Sequence, residues 1–210
     1  MNHRKRKSSR LPDRAGGTRR PVGLRIVGGR FRGRKLDYTG DWQVRPMKER
    51  LREAIFNLLG PAVKGQHAVD LFAGTGAMAI EALSRGAARA TFVEQHFPTA
   101  KVVRQNVAAL GLEVEAEVVT ANTFIWWKKR PQLSAVPWLV FCCPPYDFYI
   151  ERQEAMLELI GGILSEAPPG SLLVVESDTR FDPALLPEAD AWDVRRYPPA
   201  VVAIHSNPSA

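Results

Sequence analysis

Between residues 68 and 164 one pattern repeats: a short apolar run, a turn of small residues or prolines, then a stretch with helical spacing. Residues 68–72 are apolar apart from Asp70, and 77–84 read as helix. A strand follows over 91–94, then a helix over 99–110 ended by Gly111, and a strand over 115–119. Residues 138–142 read as a buried strand before Pro144-Pro145, 151–164 as helix and 171–176 as strand. Near the end, 192–196 and 201–205 can pair around Tyr197-Pro198-Pro199-Ala200. Strands that are apolar along nearly their whole length belong in a sheet covered on both faces. The pattern therefore predicts a doubly wound α/β fold with an antiparallel pair at one edge.

Composition narrows the classes. With 45% hydrophobic and 24% charged residues, the chain is neither wholly disordered nor collagen-like. No stretch approaches the roughly 18 apolar residues of a membrane span, and no apolar leader is visible. Cys142 and Cys143 are adjacent and could staple nothing distant, so a reduced, cytoplasmic setting is expected. Neither membrane nor metal is expected as a partner.

Net charge is +7, but residues 1–36 carry +12 and the remainder −5. An excess confined to one end fits an arm that meets a polyanion. Residues 1–22 have no apolar period and are expected to be a disordered basic arm; a solvated tail or an Arg-rich transit peptide would read the same. Residues 24–36 flank Gly28-Gly29, a two-residue hairpin signal. A strand there would set Arg30, Arg32 and Arg34 on one face at roughly 6.6 Å spacing, suited to phosphates or simply to solubility. Met47, Leu51, Ala54, Ile55 and Leu58 form a helical apolar stripe with Pro46 near its start and Gly60-Pro61 at its end. Arg45, Lys48 and Arg52 lie off that stripe and would extend the basic surface. The expected division is 1–22 arm, 23–61 hairpin-and-helix extension, and 62–210 α/β domain.

The run Asp70-Leu71-Phe72-Ala73-Gly74-Thr75-Gly76 joins a strand to a helix, where glycines let a ligand approach the helix N-terminus. Glu94 ends the next strand, 24 residues after Asp70, and can accept from ribose hydroxyls. Together these point to a nucleoside-containing ligand, against the alternative of a glycine turn kept for packing. A carboxylate beside the glycines repels a pyrophosphate but suits a cation, so Asp70 favours S-adenosylmethionine over NAD. Asp70 could also merely cap the turn. Thr120-Ala121-Asn122 could offer polar groups to adenine or simply cap the following helix.

Beyond the 138–142 strand stands Cys143-Pro144-Pro145-Tyr146-Asp147-Phe148. Prolines have no N–H, so the Pro144 carbonyl can face the pocket as a preset acceptor. Tyr146, Phe148 or Tyr149 could stack on an extruded base. Methyl transfer to an exocyclic amino group needs such acceptors, because its lone pair is delocalised into the ring. A Pro-Pro turn closing over aromatic core residues is the plainer reading.

These motifs in combination resemble the RsmD-type bacterial RNA methyltransferases. The resemblance runs through Gly29-x-x-x-Gly33-Arg34-Lys35-Leu36, Arg45-Pro46, and Arg52-Glu53-Ala54-Ile55-Phe56-Asn57. It continues through the Asp70–Gly76 run, Glu81-Ala82-Leu83-Ser84-Arg85-Gly86, Glu94 and Pro144-Pro145-Tyr146, spanning roughly residues 24–205. It implies a class I methyltransferase fold, Rossmann-like and seven-stranded with an antiparallel edge strand, carrying an N-terminal hairpin and helix. It also implies methylation of guanine N2 in 16S ribosomal RNA, using S-adenosylmethionine, by a monomer acting on ribosomal RNA or the small subunit. The cofactor set becomes Asp70, Phe72, Gly74, Gly76, Glu94, Gln95, Ala121 and Asn122. Cys143, Pro144, Pro145 and Tyr146 form the catalytic set, and Arg30, Arg32, Arg34, Lys35 and Arg45 the RNA-binding set.

The sequence departs from the family at three points. Cys143 replaces the Asp of Asp-Pro-Pro-Tyr/Phe, Met47 replaces the Thr of Arg-Pro-Thr, and Thr120 stands where an acid is usual. A thiol is a weak acceptor, and losing one such acceptor can cost about 3 kcal/mol of transition-state stabilisation. Three readings follow: an active amino-methyltransferase, an RNA-binding relative with weakened catalysis, and a pyrimidine-carbon methyltransferase using Cys143 as covalent nucleophile.

Overall fold

The computed structural model describes residues 23–40 and 46–208; the basic arm and Arg45 lie outside the described residues. Among the described residues seven strands form one sheet: β1 (His67–Asp70), β2 (Arg89–Glu94), β3 (Ala116–Thr120), β4 (Trp138–Cys142), β5 (Leu172–Asp178), β6 (Trp192–Tyr197) and β7 (Ala200–Ser206). Their spatial order is β3-β2-β1-β4-β5-β7-β6. The first five run parallel, and β7 lies antiparallel to both β5 and β6. Among the described residues six α-helices accompany them: α1 (Glu49–Leu59), α2 (Ala77–Ser84), α3 (Phe97–Ala109), α4 (Thr123–Lys128), α5 (Phe148–Glu151) and α6 (Gln153–Glu166).

Alternation along the strands builds two cores. Ala68, Phe92, Phe141 and Val174 face α1, α2 and α3, whereas Val69, Val140, Cys142 and Val175 face α6. Every residue of β1 and β4 is buried, as the unbroken apolar runs require. The exposed edge strand β6 instead carries Asp193, Arg195 and Arg196, charges that discourage edge-to-edge pairing. Among the described residues no helix is long and apolar enough to cross a membrane.

Several expectations needed correction. The expected hairpin is closed by a single bridge, Arg25 to Lys35, and Gly29–Phe31 form a 3-10 turn rather than the start of a strand. Arg30 is therefore in the turn, and the three-arginine strand face does not exist. The glycines serve contact instead. Gly29 has φ +74°, and a Cβ there would fall 2.0 Å from the Ser84 carbonyl oxygen at the end of α2. The Phe31 amide donates to Ser84 Oγ at 3.0 Å, fixing the turn on that helix.

Helix α1 also sits differently. Its buried residues are Arg52, Ile55, Phe56 and Leu59, while Leu58 is 40% exposed. The cause is electrostatic as well as apolar. Arg52 turns inward to Glu81, 3.5 Å away, and donates from Nη2 to the Arg25 carbonyl, while Phe56 packs on Phe141 at 5.7 Å. Arg52 is thus buried and adds nothing to a basic surface. The helix expected over 151–164 is interrupted at Arg152, whose φ of −131° separates α5 from α6.

Candidate active site

Strands β1 to β3 run outward to one edge, and the chain then returns to place β4 on the other side of β1. Where strand order reverses, the loops leaving adjacent strands diverge and open a crevice beyond their carboxyl ends. The Gly74 turn leaves β1 and the Pro144 turn leaves β4. Both line one cavity of about 670 Å³, a size common for cofactor sites.

Asp70 ends β1 at the floor of this cavity, buried, with Oδ2 lacking a hydrogen-bond partner among the described residues. Burial is the main reason its pKa is pushed up to about 7, and nearby Glu94 adds to the rise. Hydrogen bonds from the backbone of Ala79 and Phe72 act against it. An unsatisfied buried carboxylate is costly, and a cation placed against it would relieve that cost. Glu94 ends β2 and holds the glycine turn: Oε2 accepts from the Gly74 amide at 2.8 Å and Oε1 from the His96 amide at 2.7 Å.

Of the other expected cofactor residues, Phe72, Gly74, Gln95 and Asn122 line the cavity, whereas Gly76 and Ala121 do not. Gly76, at φ +75°, lies under the turn, and a Cβ there would come within 2.9 Å of Val103 Cγ1. Its smallness serves helix packing. Asn122 caps α4, its Oδ1 accepting from the Phe124 and Ile125 amides at 3.1 and 3.3 Å, while Nδ2 donates to Gln95 Oε1 at 3.2 Å. The capping role and a place on the cavity wall therefore coexist in Asn122. Phe72, Phe124 and Phe148 form an aromatic cluster, with centroids 5.9–6.3 Å apart.

Cys143, Pro144, Pro145 and Tyr146 all line the cavity. Cys143 is partly buried, and desolvation with Glu176 and Asp70 close by pushes its thiol well above the ordinary cysteine value. That shift favours the neutral thiol, a weaker nucleophile than a thiolate. Tyr149 also differs from expectation. It is fully buried, packed on Phe181 at 4.8 Å with its hydroxyl donating to the Cys142 carbonyl at 3.2 Å, and cannot stack on a base. Tyr146 and Phe148 remain at the cavity.

The basic residues are elsewhere. Arg30, Arg32, Arg34 and Lys35 are exposed on the N-terminal loop, and none lines the cavity. Arg30 lies 3.7 Å from Glu115 and over the Phe31 ring, and Arg34 Nη2 donates to the Ala109 carbonyl at 3.3 Å.

The sequence reading missed the third wall of the cavity: Glu176 and Asp178 on β5, Arg180 just beyond, and the Tyr197–Ala200 turn. Asp70, Glu94 and Glu176 share one signal, an acid at the carboxyl end of an apolar strand, and that signal could have found Glu176.

The family model described as Conserved hypothetical protein 95 matches residues 24–202. Ribosomal RNA small subunit methyltransferase D of Escherichia coli (strain K12) is 37% identical over 177 residues, 82% of this chain and 83% of that protein. The solved structure of the Escherichia coli protein yhhF aligns with a TM-score of 0.73 at 28% identity, covering 90% of this chain and 99% of that one. An RNA methyltransferase from Salinibacter ruber, solved with S-adenosyl-L-homocysteine, shares the fold at 17% identity and TM-score 0.56, over 79% and 95% of the two chains. With the family model spanning nearly the whole described chain and all seven strands in place, this chain belongs to the Conserved hypothetical protein 95 family, the RsmD-type methyltransferases.

Proposed function

We propose that the chain is a ribosomal RNA methyltransferase that uses S-adenosylmethionine and modifies an exocyclic amino group, guanine N2 of the small-subunit RNA. One observation carries the reading: the Gly74 and Pro144 turns leave adjacent strands and share one cavity, at whose floor a buried carboxylate, Asp70, has an unpartnered oxygen. S-adenosylmethionine, when bound, supplies a methyl group activated by a sulfonium. Its positive groups suit Asp70, and the solved Salinibacter relative holds the demethylated product.

The remaining residues divide by chemistry. Glu94 keeps lone pairs beyond its two backbone bonds and can accept from ribose hydroxyls; Gln95 and Asn122 offer amides, and Phe72 an apolar wall. The Pro144 carbonyl accepts from the amino group of an extruded base, drawing its lone pair out of the ring, while Tyr146 and Phe148 supply ring faces. Arg30, Arg32, Arg34 and Lys35 hold RNA phosphates outside the cavity. Because Cys143 is neutral, it offsets little charge on the amino nitrogen, so the rate is lower than with a carboxylate there. The working compartment is the cytoplasm, where ribosomal RNA is available.

Tritiated methyl transfer to small subunits lacking their native guanine methylation tests the proposal. Label recovered as N2-methylguanosine is expected. Absence of label at saturating donor, or label on another atom, contradicts it.

A further inference from the structure

The parallel pairing of β4 with β5 sets Cys142 opposite Val175, so the next residues, Cys143 and Glu176, emerge side by side at the carboxyl end of the sheet. Glu176 is only 7% exposed and lines the cavity at its Pro144 end. Tyr146 Oη donates to its Oε1 at 2.6 Å, which fixes the plane of the carboxylate. Asp147 and Asp178 share the Arg180 guanidinium at 2.9 and 2.8 Å, and Glu94 holds the glycine turn. Glu176 thus brings a carboxylate to the part of the cavity lined by Cys143, Pro144 and Tyr146.

A carboxylate offers two parallel acceptors and, when ionised, no donor. Guanine is the base whose Watson–Crick edge shows two adjacent donors, N1–H and N2–H. Adenine and cytosine place a ring acceptor beside their amino group, and uracil flanks its single N–H with carbonyls. Resting on the methyltransferase reading above, we infer that Glu176 is the specificity-determining residue: its carboxylate accepts from guanine N1–H and N2–H, selects that base and aims N2 into the cavity. In a buried site an acceptor facing an acceptor is heavily disfavoured, so discrimination of this kind is steep.

Glu176→Gln and base analogues test this. The modified nucleotide is first mapped with the parent protein, and particles are then assembled from RNA bearing guanosine or 2-aminopurine at that position. 2-Aminopurine keeps the amino group but has an acceptor at N1. The Gln side chain can donate to that acceptor and still accept from the amino group. Glu176→Gln is expected to lower kcat/KM on guanosine by at least about 100-fold. It should leave the S-adenosylmethionine Kd within about twofold and surpass the parent on 2-aminopurine. Unchanged guanosine methylation, or an equal fall on both substrates, overturns the inference. Should the Gln variant fail to fold, Glu176→Asp carries the test: a retained preference for guanosine supports the inference, and equal rates on the two bases overturn it. A parent that methylates a base other than guanine removes this inference but leaves an RNA methyltransferase. A parent that labels no RNA removes the reading beneath it.

Discussion

At the scale of single residues, the proposed chemistry turns on Asp70 and Cys143. Burial holds the Asp70 proton up to about pH 7, against about 4 in an unfolded chain. Its charge is therefore absent below both values, and as pH rises from about 4 to 7 the folded state loses stability, because an unfolded chain releases this proton and the folded one keeps it. A bound cation reverses that preference, so donor binding should release a proton. Titration calorimetry should show S-adenosylmethionine affinity falling about tenfold per unit below pH 7, and Asp70→Asn should bind weakly with no such slope. A parent whose affinity is flat with pH contradicts this assignment. For Cys143, a neutral thiol predicts that Cys143→Ser keeps methyl transfer within about tenfold, whereas a covalent nucleophile would lose all of it. Cys143→Asp should raise the rate, and more at pH 8.5 than at 6.5, because Glu176 and Asp70 resist a third charge nearby. Legibility at this scale followed local chemistry: Asp70, Gly74 and Pro144 stand in turns that announce themselves, while Glu176 reaches the site only through the pairing of β4 with β5.

Elements were legible where one kind of force acts. Strand β4 and helix α2 fall where the sequence pattern placed them: β4 is apolar throughout and buried on both faces, and α2 is apolar apart from Glu81 and Ser84. Helix α1 was misread because its inward face includes a charge. Glu81 gathers the Val27 and Gly28 amides at 2.8 and 2.7 Å, Arg85 Nε at 2.8 Å and the Arg52 guanidinium, tying the N-terminal loop, α1 and α2 together. Apolar spacing cannot see such a knot. Arg52 Nε and Nη1 have no hydrogen-bond partner among the described residues, so the pair is retained at a cost in desolvation. Removing the acid alone strands a buried guanidinium. Glu81→Ala should therefore lose about 3–5 kcal/mol in urea unfolding, with Glu81→Gln losing less because its carbonyl still serves one of the two amides. A loss below about 1 kcal/mol for Glu81→Ala would mean that the knot is incidental.

For the molecule as a whole, charge and cavity lie apart: exposed arginines sit on the N-terminal loop, and the acidic cavity opens at the carboxyl ends of β1, β4 and β5. RNA would be gripped by its backbone on the loop while one base enters the cavity. Replacing Arg30, Arg32 and Arg34 with Gln should flatten the log–log salt dependence of RNA binding by up to about 2 while leaving donor affinity intact. An unchanged slope removes the loop from the interface. The doubly wound class and the antiparallel closing pair were readable from the repeated strand–helix units, whereas the loop's 3-10 turn was not, since it is imposed by contact with Ser84 rather than by its own residues. The central claim is that a sulfonium donor and a target base meet in the crevice between β1 and β4. A crystal structure with S-adenosyl-L-homocysteine addresses it most directly: the account predicts the ligand against Asp70, Glu94 and Gly74 with its sulfur end toward Pro144. A ligand bound elsewhere, or side chains closing the crevice in the crystal, would contradict it.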